Sequence, residues 1–204
     1  MKKILLCILI AAVSSTSLSQ PKTSAFTILL GGDAGIFNVD AGGNFNHYYN
    51  DRHLAYTGVF GLGNGFTFVI AKYRLFSASG SSKLTNVDAT GTAQWKQRIL
   101  SAGFRLHSED SAFYIDAMYL FNHAEESIGT LNPAVDALSA TQKIDNNGVS
   151  FAVGLAPRIA GPLALDFSVE YSVMLQNPLN DAGRQIPNLG GLYYGAGVSF
   201  YFNN

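Results

Sequence analysis

The sequence predicts an all-β fold: an eight-stranded antiparallel up-and-down barrel that crosses a membrane. Three observations predict it. One is a period of two with unlike faces, clearest near the end of the chain. There Leu192, Tyr194, Ala196, Val198, Phe200 and Phe202 alternate with Gly191, Tyr193, Gly195, Gly197, Ser199 and Tyr201. The second is a shortage of charge: 13% of the 204 residues are charged, against roughly 25% in an average soluble domain. The third is that eight such stretches are joined by connections that alternate long and short. Strands with one apolar face, each needing a partner on both edges, are satisfied by a closed barrel in lipid.

Residues 1–19 read as a secretory signal. Lys2 and Lys3 precede the apolar run Ile4–Val13, which is shorter than the roughly 20 residues of a spanning helix. Ser17-Leu18-Ser19 is a small-x-small cleavage site, so residues 20–204 form the expected barrel domain, starting at Gln20. Cys7, the single cysteine, lies inside the signal. A mature chain without cysteine holds no disulfide and does no thiol chemistry. A net charge of −1 gives no bulk attraction for nucleic acid.

The first expected strand, Ala25–Asn38, carries Phe26, Ile28, Leu30, Ala34 and Ile36 on one parity. After a Gly/Asn/Asp-rich connection comes the second, His53–Leu62, and then Gly63-Asn64-Gly65, a tight turn whose residues tolerate positive φ. The third, Phe66–Ala78, sets Val69, Ala71, Tyr73 and Leu75 against Lys72 and Arg74. A Ser/Gly/Thr-rich connection leads to the fourth, Gln94–Leu106, with Leu100, Ala102, Phe104 and Leu106 on its apolar face. Beyond the His107–Ser111 turn, the fifth, Ala112–Ala124, presents Phe113, Ile115, Ala117, Tyr119 and Phe121. Glu125–Asn147 is the longest expected loop. Asn132-Pro133 ahead of Ala134–Lys143 reads there as a capped helical turn, and Asp145–Gly148 as a turn before the sixth strand, Gly148–Ile159. Gly161-Pro162 turns the chain into the seventh, Leu163–Met174, and a fourth long loop precedes the last.

Charge placement decides which face is inside. The polar faces carry Lys72, Arg74, Arg105, Asp116, Arg158, Asp166 and Glu170. An eight-stranded barrel encloses an interior only just filled by side chains. The Phe, Tyr, Leu and Val of eight apolar faces would overfill it, whereas the Gly-, Ala- and Ser-rich faces fit. The apolar faces therefore point to lipid. The seven charges form an interior network that must pair in poor solvation. A turn centred near residue 162 sets Arg158 opposite Asp166. The network reads as a structural plug or, alternatively, as a gated ion path.

These features resemble the small eight-stranded outer-membrane β-barrel proteins of diderm bacteria, the class of OmpX and the OmpA transmembrane domain. Gly197-Val198-Ser199-Phe200-Tyr201-Phe202 is similar to the carboxy-terminal signal read by the barrel-assembly machinery, with Asn203 and Asn204 added after the last Phe. The resemblance implies an integral protein of the outer membrane, with short periplasmic turns, long extracellular loops and both termini periplasmic. Its expected partners are outer-membrane lipid, the assembly machinery and a surface or envelope protein.

No cofactor, metal or catalytic residue is assigned. His107-Ser108-Glu109 falls on a turn, and adjacency does not make a triad. Some small outer-membrane barrels are lipid A acyltransferases or deacylases. His123 with Glu125, Glu126 and Ser127, and His47 and His53, are the loop candidates for such chemistry, against a reading as solvated loop polarity. The loop acids lack the spacing of a calcium loop. Trp95, Tyr73, Tyr119, Phe121 and Tyr171 read as one aromatic girdle, and Phe104, Phe113, Phe200 and Phe202 as the other. Phe45, Tyr48 and Tyr49 either form a loop interaction surface or cap the mouth. The leading expectation is a non-enzymatic structural or surface-interaction protein. A narrow channel for small or hydrophobic solutes follows, and then a lipid-modifying enzyme.

Overall fold

The computed structural model describes residues 26–39, 45, 49, 53–81, 92–108, 112–129, 141–176 and 188–203. The expected signal, residues 1–19, lies outside them. Nine strands form one antiparallel sheet: β1 (Thr27–Val39), β2 (Leu54–Gly63), β3 (Thr67–Ser81), β4 (Thr92–His107), β5 (Phe113–Gly129), β6 (Thr141–Leu155), β7 (Arg158–Ala160), β8 (Leu163–Met174) and β9 (Gly191–Asn203). β1 pairs with β9 from Thr27↔Asn203 to Val39↔Gly191, which closes the sheet on itself. β7 carries on the line of β6. The β6–β8 ladder runs to Leu155↔Phe167, breaks at Ala156-Pro157, and resumes at Arg158↔Ala164. Pro157 has no N–H to give the ladder. The barrel thus has eight staves, as the alternation predicts.

One end carries the short turns. At the first, Asn64 Oδ1 accepts hydrogen bonds from the Phe66 and Thr67 amides at 3.1 and 2.9 Å. Gly65 takes φ +92° there, a conformation that favours glycine. The longer connections leave from the opposite, loop end.

The apolar parity faces outward. Val69, Phe104, Phe151 and Tyr56 are each more than half exposed, and their neighbours on every stave follow. On β9 this belt runs from Tyr194 to Phe202, about 20 Å along the axis at a tilt of ~40°. That approaches the ~25 Å apolar band of a membrane barrel.

Four staves overshoot the belt. β3, β4, β5 and β6 continue beyond Tyr73, Leu100, Phe121 and Val149 with the same pairing, for example Ser77↔Lys96, Lys96↔Glu125 and Glu125↔Lys143. The expected loop Glu125–Asn147 is therefore strand over 125–129 and 141–147, with 130–140 outside the described residues, and Asp145–Gly148 is strand rather than turn. Of the expected helical turn, 141–143 is strand and the rest lies outside the described residues. Alternation persists there with its sense reversed. Trp95, Ala124 and Ile144 point in and are buried, while Lys96, His123 and Asp145 point out. A search for an apolar outer parity ends where the lipid belt ends, and so it misses strand that stands in water.

Candidate functional site

The interior is layered. In its middle, three cations meet three acids from four staves. Lys72 on β3 places Nζ 2.8 Å from Asp116 Oδ2 on β5 and 3.1 Å from Glu170 Oε2 on β8. Arg74 donates both terminal nitrogens to Glu170 at 3.0 Å, and Nε to Thr57 Oγ1 at 3.2 Å. Arg105 on β4 grips Asp116 with Nε and Nη2 at 2.8 and 3.0 Å. Its Nη1 lies 3.5 Å from Asp166 Oδ2, and its guanidinium stacks 3.6 Å from the centre of the Tyr114 ring. Asp166 accepts hydrogen bonds from Tyr114 Oη at 2.5 Å and Ser199 Oγ at 2.8 Å. All six charged residues are at most 5% exposed. Gly154 makes room for this arrangement, since a Cβ there would fall 2.3 Å from the Tyr114 ring.

Arg158 stands apart. It faces Ala164 across the ladder, not Asp166, because the turn is centred one residue earlier than expected. Its guanidinium lies 5.3 Å from the Tyr201 ring. There, at the turn end, Phe68, His107, Tyr114 and Tyr201 pack ring against ring. His107 thus belongs to an aromatic floor, and Glu109 lies outside the described residues.

Above the charges, Arg74 stacks 3.9 Å from the centre of the Tyr193 ring, and Tyr193 donates a hydrogen bond to Asp33. Then comes the mouth. Phe45 and Tyr49 stack at 4.6 Å, and Trp95 meets them at 5.4 and 5.8 Å. Phe76 and His53 close the cluster. Phe45 and Tyr49 are essentially fully buried, inside the mouth rather than on its surface; Tyr48 lies outside the described residues. Trp95, expected in a lipid-facing girdle, is fully buried in this cluster. Its parity with Gln97 and Ile99 requires that. Tyr49 donates its hydroxyl to the buried Glu126, and Gln97, Asn122 and Asn146 form an amide chain beside them. Glu126 was grouped by sequence with His123 and Glu125, yet one step along a strand turns it inward. Sequence reasoning also missed Asp33, Tyr114, Tyr193 and Ser199 as partners; their inward parity was the available signal.

Outside, just above the belt, His123 bridges Asp145 (Nδ1, 2.5 Å) and Glu125 (Nε2, 3.2 Å). The hydrogen bonds it donates to Asp145 and then Glu125 raise its pKa above the ordinary value, and accepting the bond from His123 lowers that of Glu125. Ser127 lies four residues along the same strand, about 13 Å away, outside hydrogen-bond reach. Among the described residues, no group of three or more His, Cys, Asp or Glu is placed to hold a metal ion.

No family model and no curated protein matches the chain. Solved structures do. Neisserial surface protein A superposes with a TM-score of 0.58 at 13% identity, over 88% of this chain and 98% of that one. The chain has the fold of the small eight-stranded outer-membrane β-barrels. OprG from Pseudomonas aeruginosa (TM-score 0.57, 13% identity, 89% and 98% covered) and Ail of Yersinia pestis (0.53, 11%, 89% and 100%) are outer-membrane barrels of the same kind. At these identities the likeness is one of fold.

Proposed function

We propose that this outer-membrane-type barrel is a non-enzymatic structural or surface-interaction protein that acts through its extracellular loop end and conducts nothing. Both termini then face the periplasm, and β9 is the segment offered to the assembly machinery. One observation carries this reading: the described interior is filled at three levels. Aromatic rings close the turn end, six paired charges cross-link four staves in the middle, and Phe45, Tyr49 and Trp95 occupy the mouth. A gated path would need these charges to separate, at a cost of several kcal/mol per uncompensated ion. The loop end, by contrast, carries the protruding β3–β6 sheet with its charged outer face.

Planar-bilayer recording of the purified protein tests the closed interior. Silent bilayers in the presence of heat-modifiable, folded protein are expected. Discrete openings would replace this reading with that of a narrow channel.

A further inference from the structure

We propose that the outer wall of β2–β6, at the upper edge of the apolar belt, is a seat for an anionic membrane lipid whose headgroup ends in a free phosphate, with the phosphate on Arg98 and Lys96 and acyl chains in two grooves beside them. The inference rests on membrane residence and is independent of the loops' role.

Two surface cavities meet at Arg98. One, of about 450 Å³, is walled by Tyr73, Leu100 and Phe121 below and by Arg98, His123 and Asp145 above. The other, of about 230 Å³, is walled by Leu54, Tyr56 and Leu75 below and by Lys96 and Arg98 above. Each has an apolar floor continuous with the lipid belt; the rim of the smaller is basic, and that of the larger sets Arg98 beside the His123–Asp145 pair. A chain lying on the floor would bring its headgroup to the rim.

The rim's charges are not equivalent. Asp145 and Glu125 are both engaged by His123, and Lys143 stands 4.0 Å from Glu125. Arg98 and Lys96 have no ion pair among the described residues, although Lys96 stands across from Glu125 in the ladder and Arg98 from His123. The two acids are hydrogen-bonded by His123, and although the charge of Arg98 is also felt at Glu125, neither Arg98 nor Lys96 closes an ion pair at headgroup height among the described residues. A guanidinium matches a phosphate with paired N–H donors, and an ammonium adds a point charge. Basic residues at this depth are attracted to anionic lipid.

The test uses the folded protein in a zwitterionic detergent, titrated with phosphatidic acid or with phosphatidylcholine of the same chains, and read by native mass spectrometry. Preferential binding of phosphatidic acid is expected. Arg98→Gln should reduce that preference about tenfold, the size of one charge-assisted contact, and Lys96→Gln should deepen the loss. Lys143→Gln, on the same rim but two strands away from Lys96 and beside Glu125, should leave it in place. Heat-modifiable migration shows separately that each variant is a closed barrel. Equal binding of the two lipids by the wild type would overturn the proposal. So would a preference that survives the double variant, or one that Lys143→Gln reduces as much as Arg98→Gln.

Discussion

The middle of the barrel and its mouth are built by the same staves on opposite rules. In the middle, β3, β4, β5 and β8 send charge inward and hydrocarbon outward. At the mouth, β4, β5 and β6 send tryptophan, alanine and isoleucine inward, around the hydrogen-bonded Glu126, and send Lys96, His123, Glu125 and Asp145 outward. The backbone does not change between the two; the solvent does. Lipid outside lets the interior be polar, provided every ion finds its counterion. Water outside restores the ordinary arrangement of a soluble core.

Breaking each region should therefore fail differently. The largest effect is expected in the middle. Glu170→Gln strips Arg74 and Lys72 of a shared acid and should cost about 3–5 kcal/mol, read by urea unfolding in lipid vesicles. Removing the pair together, Arg74→Met with Glu170→Met, leaves Lys72 on Asp116 and should recover most of that loss. An equally damaging double variant would show that shape, not charge, holds the middle. At the mouth, Trp95→Ala should cost about 3 kcal/mol by leaving a cavity, with no charge partner able to rescue it. Tyr49→Phe removes the only change of chemistry in the stacked pair and leaves Glu126 without that donor. About 1–2 kcal/mol is expected, with limited proteolysis of the first long connection as a second readout.

The smallest effect belongs to the outer face. His123 has a raised pKa in the folded barrel, so its contribution is complete below its ordinary value near 6.5 and is lost as pH rises through the raised one. Because the side chain is about a third exposed, the change should be under about 1 kcal/mol. Titration of its ring protons by NMR should show the upward shift in the wild type and its reduction in Asp145→Asn.

The sequence-structure correspondence follows the same division. All eight staves were legible where hydrocarbon faces lipid, because period two with unlike faces has a simple meaning there. The lumen charges were legible as a set: six of the seven residues pair, and Arg158 fails because a register one residue off moves its partner. The mouth was harder to read. Glu125–Asn147 mixes polar and apolar residues on both parities, which by composition is indistinguishable from loop. The parity of Trp95 points it inward, whereas its residue type alone suggests a girdle. The cations Arg98 and Lys96 gave no sequence signal. Their importance comes from being next to cavities and to acids already engaged by His123, and only the folded wall shows that.

The seam between β1 and β9 sets the order of events in making this molecule. Thr27 lies against Asn203, so the contact that completes the ladder joins the two extremes of the barrel sequence. Contacts that distant in sequence form slowly, after the entropy of closing nearly the whole chain has been met. Until β9 arrives, β1 and β8 each present a bare row of backbone donors and acceptors. A chain stopped short of Gly191 would not be a slightly smaller barrel. It would be an open sheet with two adhesive edges, and the cell must shelter it until the last strand arrives.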